Sequence, residues 1–297
     1  MFKSKVTILV LVLLFTLALL TACDSANVND GEITVLRLAT LVDDDPEAGR
    51  VFEIFRAGLE EHIGIPVRHI EGATHLVGIE SMRAGNLDLM WGSPAVYILA
   101  RRDMEVERLA VTTSPTAVNK AVFITANDNI RTLEDLRGSH FAFITAASTS
   151  GFMYPMYHLM NMFGMSRDEI SLDFFGIMAF SGNQNASIMG VLHGDYDAAA
   201  VGNINLQNMI NAGIVDPNAI RIIGYTEIIP FPGYVAAGHL PEELRQQIQE
   251  FILNFDNETY FAERFNDAGA RFVLPVPAHI THMASMAIAL DIDLETQ

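Results

Sequence analysis

Ser148, Thr149 and Ser150 place three hydroxyl side chains in a row, directly before Gly151. Each hydroxyl can donate one hydrogen bond and accept two. The chain around them reads strand, turn, helix. His140 to Thr145 is a short apolar run of the kind a buried strand shows, and Ala146-Ala147 begin a small-residue loop. Beyond Gly151, Phe152, Met156, Leu159 or Met160, and Phe163 recur at helical spacing. Gly164 stands where a helix ends. Pro155 lacks an N–H and so belongs to the first turn, which puts the free N–H groups at about Thr149 to Met153. Unpartnered N–H groups at the positive end of a helix attract an anion, and three hydroxyls add donors to the same point. The plainer alternative is that Ser148 or Ser150 is only an N-cap.

Such a turn needs a scaffold, and the chain supplies alternating elements. Glu32 to Leu41 reads as a strand. Asp45-Pro46 opens a helix whose apolar face is Val51, Ile54, Phe55, Leu59 and Ile63, ended by Gly64. Val67 to Ile70 is a strand, Thr74 to Ala84 a helix stopped by Gly85, and Leu87 to Trp91 a strand. Ser93-Pro94 caps a helix carrying Tyr97. Thr112 to Ala126 reads as long and extended, with a turn at Ser114-Pro115. Leu172 to Phe180 and Tyr196 to Val201 read as strands; Ser181-Gly182-Asn183-Gln184-Asn185 leads into a helix ended by Gly194, and Asn203 begins another. Ile220 to Gly224 and Tyr234 to Ala237 are strands, and helices from about Pro241, Asn257 and Ala278 finish the chain. Strands alternating with helices predict an α/β fold with largely parallel strands, and ligands then sit beyond the carboxyl ends of strands. The turns at Glu71 to His75 and Trp91 to Tyr97 lie at such ends.

The N-terminus reads as an export signal. Lys3 and Lys5 precede an uncharged run from Val6 to Leu20, too short for a membrane span. Leu20-Thr21-Ala22-Cys23 follows, and Cys23 is the only cysteine among 297 residues. A lone cysteine makes no internal disulfide, so lipidation at Cys23 is expected after removal of a signal peptide at 1–22, with 23–32 as a polar tether. Loss of Lys3 and Lys5 leaves 16 basic against 36 acidic residues, a net charge of −20. Nucleic acid and anionic membrane surfaces are poor partners for such a chain. An anionic ligand must be captured by local dipoles, since Ala146 to Gly164 contains no Lys or Arg.

Four motifs in order carry a resemblance. They are Ala84-Gly85-Asn86-Leu87-Asp88 with Gly92-Ser93-Pro94 and Tyr97; Leu133-Glu134-Asp135-Leu136-Arg137-Gly138; Ser148-Thr149-Ser150-Gly151-Phe152-Met153-Tyr154-Pro155; and His193-Gly194-Asp195-Tyr196-Asp197-Ala198-Ala199-Ala200-Val201. From about Ile33 to its end the chain resembles the phosphate/phosphite/phosphonate-binding proteins of ABC importers. The resemblance implies a two-lobed periplasmic-binding-protein fold of type II. Its ligand cleft would lie between lobes joined by two crossover segments, near Val118 to Phe123 and Gly224 to Pro230. Lobe one would be 33–118 plus 229–297, and lobe two 119–228. By position, Ser148, Thr149, Ser150 and Gly151 would hold the oxyanion and Tyr97 would close on it. His75 stands where the family often has tyrosine, and Gln184 lies in a turn that often reads Gly-Ser-His-acid. Gly202 and Asn203 stand where the family often has an acid, so the far side of the ligand would face His75, Gln184 and Asn203.

Other chemistries find less support. Met153, Met156, Met160, Met162 and Met165 read as packing. His279 and His282 have no Cys or acid at matching spacing, so no metal is expected, nor any cofactor. No Gly-x-Ser-x-Gly elbow is present. Asp43-Asp44-Asp45 reads as a solvated loop. The expectation is a monomeric, lipid-anchored extracytoplasmic protein that passes a small phosphorus oxyanion to an ABC permease and is not an enzyme. The alternatives are a sensor lipoprotein signalling to a membrane kinase, or an enzyme on the same fold.

Overall fold

The chain visits one sheet, leaves it for a second, and returns. A computed structural model describes residues 33–41 and 48–291. Cys23, the signal and tether segments, and Asp43 to Pro46 lie outside the described residues. In chain order the elements are β1 (Leu36–Leu41), α1 (Ala48–Ile63), β2 (Val67–Ala73), α2 (His75–Arg83), β3 (Leu89–Gly92), α3 (Pro94–Asp103) and β4 (Val106–Thr113). Then come β5 (Lys120–Thr125), β6 (His140–Phe143), α4 (Tyr154–Phe163), β7 (Ile177–Phe180), α5 (Gln184–His193), β8 (Ala198–Gly202), α6 (Asn203–Asn211) and β9 (Arg221–Ile228). The return supplies β10 (Gly233–Ala237), α7 (Glu242–Asn254), α8 (Glu258–Phe265), β11 (Arg271–Val273) and α9 (Pro277–Ala289).

The first sheet has the order β11-β4-β10-β3-β1-β2 and the second β7-β6-β8-β5-β9. Parallel pairing joins β1 to β2 and β3, and β6 to β7 and β8. The strands that enter or leave by the crossings run antiparallel: β10 against β3 and β4, β5 against β8 and β9. The expected largely parallel sheets are thus corrected to mixed ones. The turn expected at Ser114-Pro115 is present: the stretch from Thr112 is the end of β4, that turn, in which Ser114 Oγ accepts from Ala117 N at 2.8 Å, and then β5. One other expectation changes. Leu172 lies in a helical turn at Ile170–Phe174, and the strand begins only at Ile177.

Apolar burial holds each half. Phe55, predicted on the inner face of α1, stacks on Tyr234 at 4.8 Å, and Trp91 meets Tyr234 edge-on at 5.0 Å. In the second half Phe141 stacks on Phe175 and Phe143 meets Phe152 edge-on. One continuous buried cluster runs from Tyr97, Ile98, Met283 and Met286 to Phe152, Met153 and Met156, so the halves pack on each other. The two crossing segments are also bonded together. Ile229 N donates to Asn119 O at 2.8 Å, and Asn119 Nδ2 to Pro230 O at 3.3 Å.

Candidate functional site

The hydroxyl turn follows β6 and opens as a wide π-type turn, Thr149–Met153, before tightening into α4. Its geometry depends on Gly151. A Cβ there would stand 2.3 Å from Ile144 Cδ1, so no larger residue fits without a shift. Ser148 is the N-cap, with its Oγ accepting from Gly151 N at 3.0 Å. The capping alternative therefore holds for Ser148, and it commits the Gly151 N–H, expected as a ligand donor, to that bond.

Capping does not exhaust these hydroxyls. Thr149 Oγ1 accepts from Ala95 N of α3 at 3.0 Å, a buried bond between the two halves of the molecule. Ser150 Oγ accepts from Gln184 Nε2 at 3.1 Å, and Gln184 Oε1 accepts from Gly202 N at 2.9 Å. That second bond fixes the amide orientation, because an N–H can meet only the oxygen. Each hydroxyl oxygen is thus engaged as an acceptor, and each hydroxyl proton remains to be given. Ser148 and Thr149 are almost fully buried. A fourth hydroxyl, that of Ser93, stands two residues before Ala95 in the chain. Sequence predicts Ser93 as a cap of α3, yet its Oγ caps nothing and is buried without a partner.

Four helix starts converge here. The Ala95 bond brings the start of α3 to the hydroxyl turn, and the Gln184 bonds bring the starts of α5 and α6. First-turn N–H groups have no acceptor within their own helix, so the convergence builds a positive field without any cation. Gly202 leaves the room for it. A Cβ there would lie 2.7 Å from Asn205 Oδ1 and 3.3 Å from Ser150 Oγ.

The remaining expected residues divide. Tyr97 lies two residues past Ala95 and is buried. His75 is the first residue of α2, half-buried, just after the N-cap Thr74. Asn203 turns away from the hydroxyls. Its Oδ1 accepts from Lys120 N at 2.9 Å and its Nδ2 donates to Val118 O at 2.8 Å, clamping the first crossing. Asp88 of the first motif has a structural role, bonded by Arg37 Nε at 2.8 Å, Arg37 N at 2.7 Å and His239 at 2.8 Å.

Three residues with a claim on the site escaped sequence reasoning: Ser93, Asn205 and Arg108. Ser93 was legible as a hydroxyl at a helix start but not as an unsatisfied one. Asn205 had a polar side chain three residues past Gly202 as its only signal. Arg108 lies in the part of β4 that local pattern did not mark as a strand. It is 6% exposed, and Nη2 donates to Phe231 O at 2.6 Å while Nε has no acceptor. Burial pushes its pKa down to about 10, and the ionisable groups acting on it are the phenols of Tyr97 and Tyr154. Burial likewise raises the pKa of Tyr154. Among the described residues no group of three His, Cys, Asp or Glu side chains could hold a metal.

A family model described as "ABC transporter, phosphonate, periplasmic substrate-binding protein" matches residues 40–274. The phosphate-import protein PhnD of Mycolicibacterium smegmatis is 25% identical over 236 residues, 73% of each chain. A probable ABC transporter phosphite binding protein, PhnD1 of Prochlorococcus marinus, is 26% identical over 239 residues, 75% of this chain and 77% of that one. The structure of PhnD1 in complex with methylphosphonate superposes with a TM-score of 0.73 at 21% identity, covering 86% of this chain and 98% of that one. Its fold, two-lobed and of type II, is the fold found here.

Proposed function

This chain belongs to the phosphonate family of periplasmic substrate-binding proteins of ABC transporters, and on that premise we propose that it captures a small phosphorus oxyanion and presents it to a membrane permease. The ligand class is phosphonate, phosphite or phosphate. One observation carries the reading: the oxygens of Ser148, Thr149 and Ser150 each accept an N–H, leaving three hydroxyl protons at a point where helix starts meet. Only an acceptor-rich, negatively charged group satisfies such a set, and a tetrahedral oxyanion has an oxygen for each donor. The orphan Ser93 hydroxyl supplies a fourth donor from the facing lobe. Tyr97 closes the pocket from lobe one, His75 stands at its mouth, and Gln184 acts through Ser150.

Lobe one comprises 33–118 and 229–297, and lobe two 119–228. Sheet membership supports this division, since the second sheet takes strands from Lys120 to Ile228 and the first takes the others. Ligand capture then closes the lobes about the two crossings, with no bond made or broken. The protein acts outside the cytoplasm, and Cys23 carries the lipid that keeps it at the membrane. No described helix is long and apolar enough to cross a membrane. Neither carboxylate nor ammonium-binding acid faces Ser150 at position 202, which favours ligands without a cationic tail.

A thermal-shift series tests the reading with phosphate, phosphite, methylphosphonate, 2-aminoethylphosphonate and sulfate. A ligand at a hundred times its Kd adds about 2.7 kcal/mol of stability, enough for a rise of several degrees. The expected result is a rise with a phosphorus oxyanion and less with the aminated one. No rise with any of them would end the proposal.

A further inference from the structure

Arg108 is a buried cation that the bonds described so far do not explain. Its guanidinium donates to one neutral carbonyl, Phe231 O, and its Nε is buried with no acceptor. No carboxylate pairs with it among the described residues. The acid that acts on neighbouring Tyr154 is Glu227, and Glu227 is engaged by His158 and His282, each at 3.9 Å. A buried charge is retained at a cost unless something compensates it.

Its position suggests the compensating group. Tyr97, one of the two phenols acting on Arg108, lies two residues past Ala95, whose N–H is bonded to Thr149 in the hydroxyl turn. Tyr154, the other, follows that turn directly on α4. Arg108 is thus close enough to Tyr97 and Tyr154 to feel both, and both adjoin the hydroxyl turn. An anion held at that turn can supply the missing negative charge.

We propose that Arg108 sets the charge specificity of the pocket, favouring doubly over singly charged oxyanions of the same shape. The proposal rests on the oxyanion reading above. Hydroxyls and helix starts bind both charge states, whereas a fixed cation adds attraction in proportion to ligand charge. For a cation within roughly a nanometre of the ligand and an effective dielectric near 20, one added ligand charge is worth on the order of tenfold or more in affinity.

Methylphosphonate is the probe, because raising the pH through its second ionisation changes its charge and not its shape. Calorimetry across that ionisation on wild type, Arg108→Gln and Arg108→Lys gives the ratio of dianion to monoanion affinity. The three proteins are compared at matched pH, so the difference between their ratios reports residue 108. We expect Arg108→Gln to lower the ratio about tenfold or more, and Arg108→Lys to keep it within about threefold of wild type. Circular dichroism melts confirm folding of both variants. A Gln variant that loses affinity equally at every pH would show that Arg108 merely anchors Phe231 and would overturn the proposal, as would one with an unchanged ratio. If wild type binds methylphosphonate in neither charge state, phosphate or phosphite, which cross the same second ionisation, takes its place as probe, and binding of none of the three would overturn the oxyanion reading itself.

Discussion

A hydroxyl is informative in proportion to what its neighbours leave it to do. Ser148, Thr149 and Ser150 differ in partner, a loop N–H, a helix start of the opposite lobe and a side-chain amide, and agree in role. Each is made an acceptor, and each is left with a proton to give. Hydrogen bonds to charged groups contribute about 1.5–3 kcal/mol. Thr149→Ala is therefore expected to weaken phosphonate binding by roughly tenfold to a hundredfold, while Thr149→Ser, which keeps both donor and acceptor, changes it little. Ser93→Ala belongs to the same experiment and should also weaken binding. If Ser93 were a plain cap, its loss would lower the melting temperature and leave affinity alone. Calorimetry with melts on all three variants separates the outcomes. The hydroxyl triplet was legible in the sequence because residue type and local order express it. Ser93's orphaned state and Arg108's isolation were not, because both depend on what distant segments fail to offer.

At the scale of elements, the starts of α3, α4, α5 and α6 were legible because caps and breakers are local signals. Pro94, Pro155, Asn183 and Gly202 each mark one. Strand pairing was less so. β11 has three residues, too few to show a period, and finds its place only against β4. β1 and β3 are held at their base by Asp88, whose side chain is fully buried. Burial works to raise its pKa, but the bonds from Arg37 and His239 outweigh it and hold the carboxyl below its ordinary value. A lowered carboxyl stabilises the fold above its unfolded pKa, near 3.9, and that contribution is lost as pH falls through the folded value. Removing one member of a buried pair costs about 3–5 kcal/mol, less here because Arg37 is 30% exposed. Asp88→Asn should thus cost about 2–3 kcal/mol in urea unfolding at neutral pH. The gap between variant and wild type should narrow as pH falls below about 4. A gap that stays constant with pH would mean that Asp88 acts through packing rather than through its charge.

The whole molecule must solve a problem that its charge creates. A chain of formal net charge −18 repels the anions it is proposed to bind, so capture depends on a pocket that shuts solvent out and lets short-range dipoles and one buried cation dominate. Shutting requires the lobes to move about the two crossings, and the hydrogen bonds trace how the pocket reaches them. Ser150 is bonded to Gln184, and Gln184 to Gly202. The next residue, Asn203, clamps Val118 and Lys120 on either side of Asn119, and Asn119 bonds the second crossing at Ile229 and Pro230. The resemblance placed Asn203 against the ligand because the family often has an acid just after strand β8. Its side chain instead reaches the crossing, a distinction that position along the chain does not carry. Small-angle scattering should show a smaller radius of gyration at saturating methylphosphonate than without it. Asn203→Ala keeps every hydroxyl of the cradle but loosens the crossing. It should reach the same closed radius at saturation and need several-fold more ligand to do so, since the clamp contributes about 1 kcal/mol through two exposed-edge hydrogen bonds. A wild type whose radius does not change at saturation would mean that the pocket is preformed and closed. A variant that binds as tightly as wild type would mean that the crossing moves independently of the cradle.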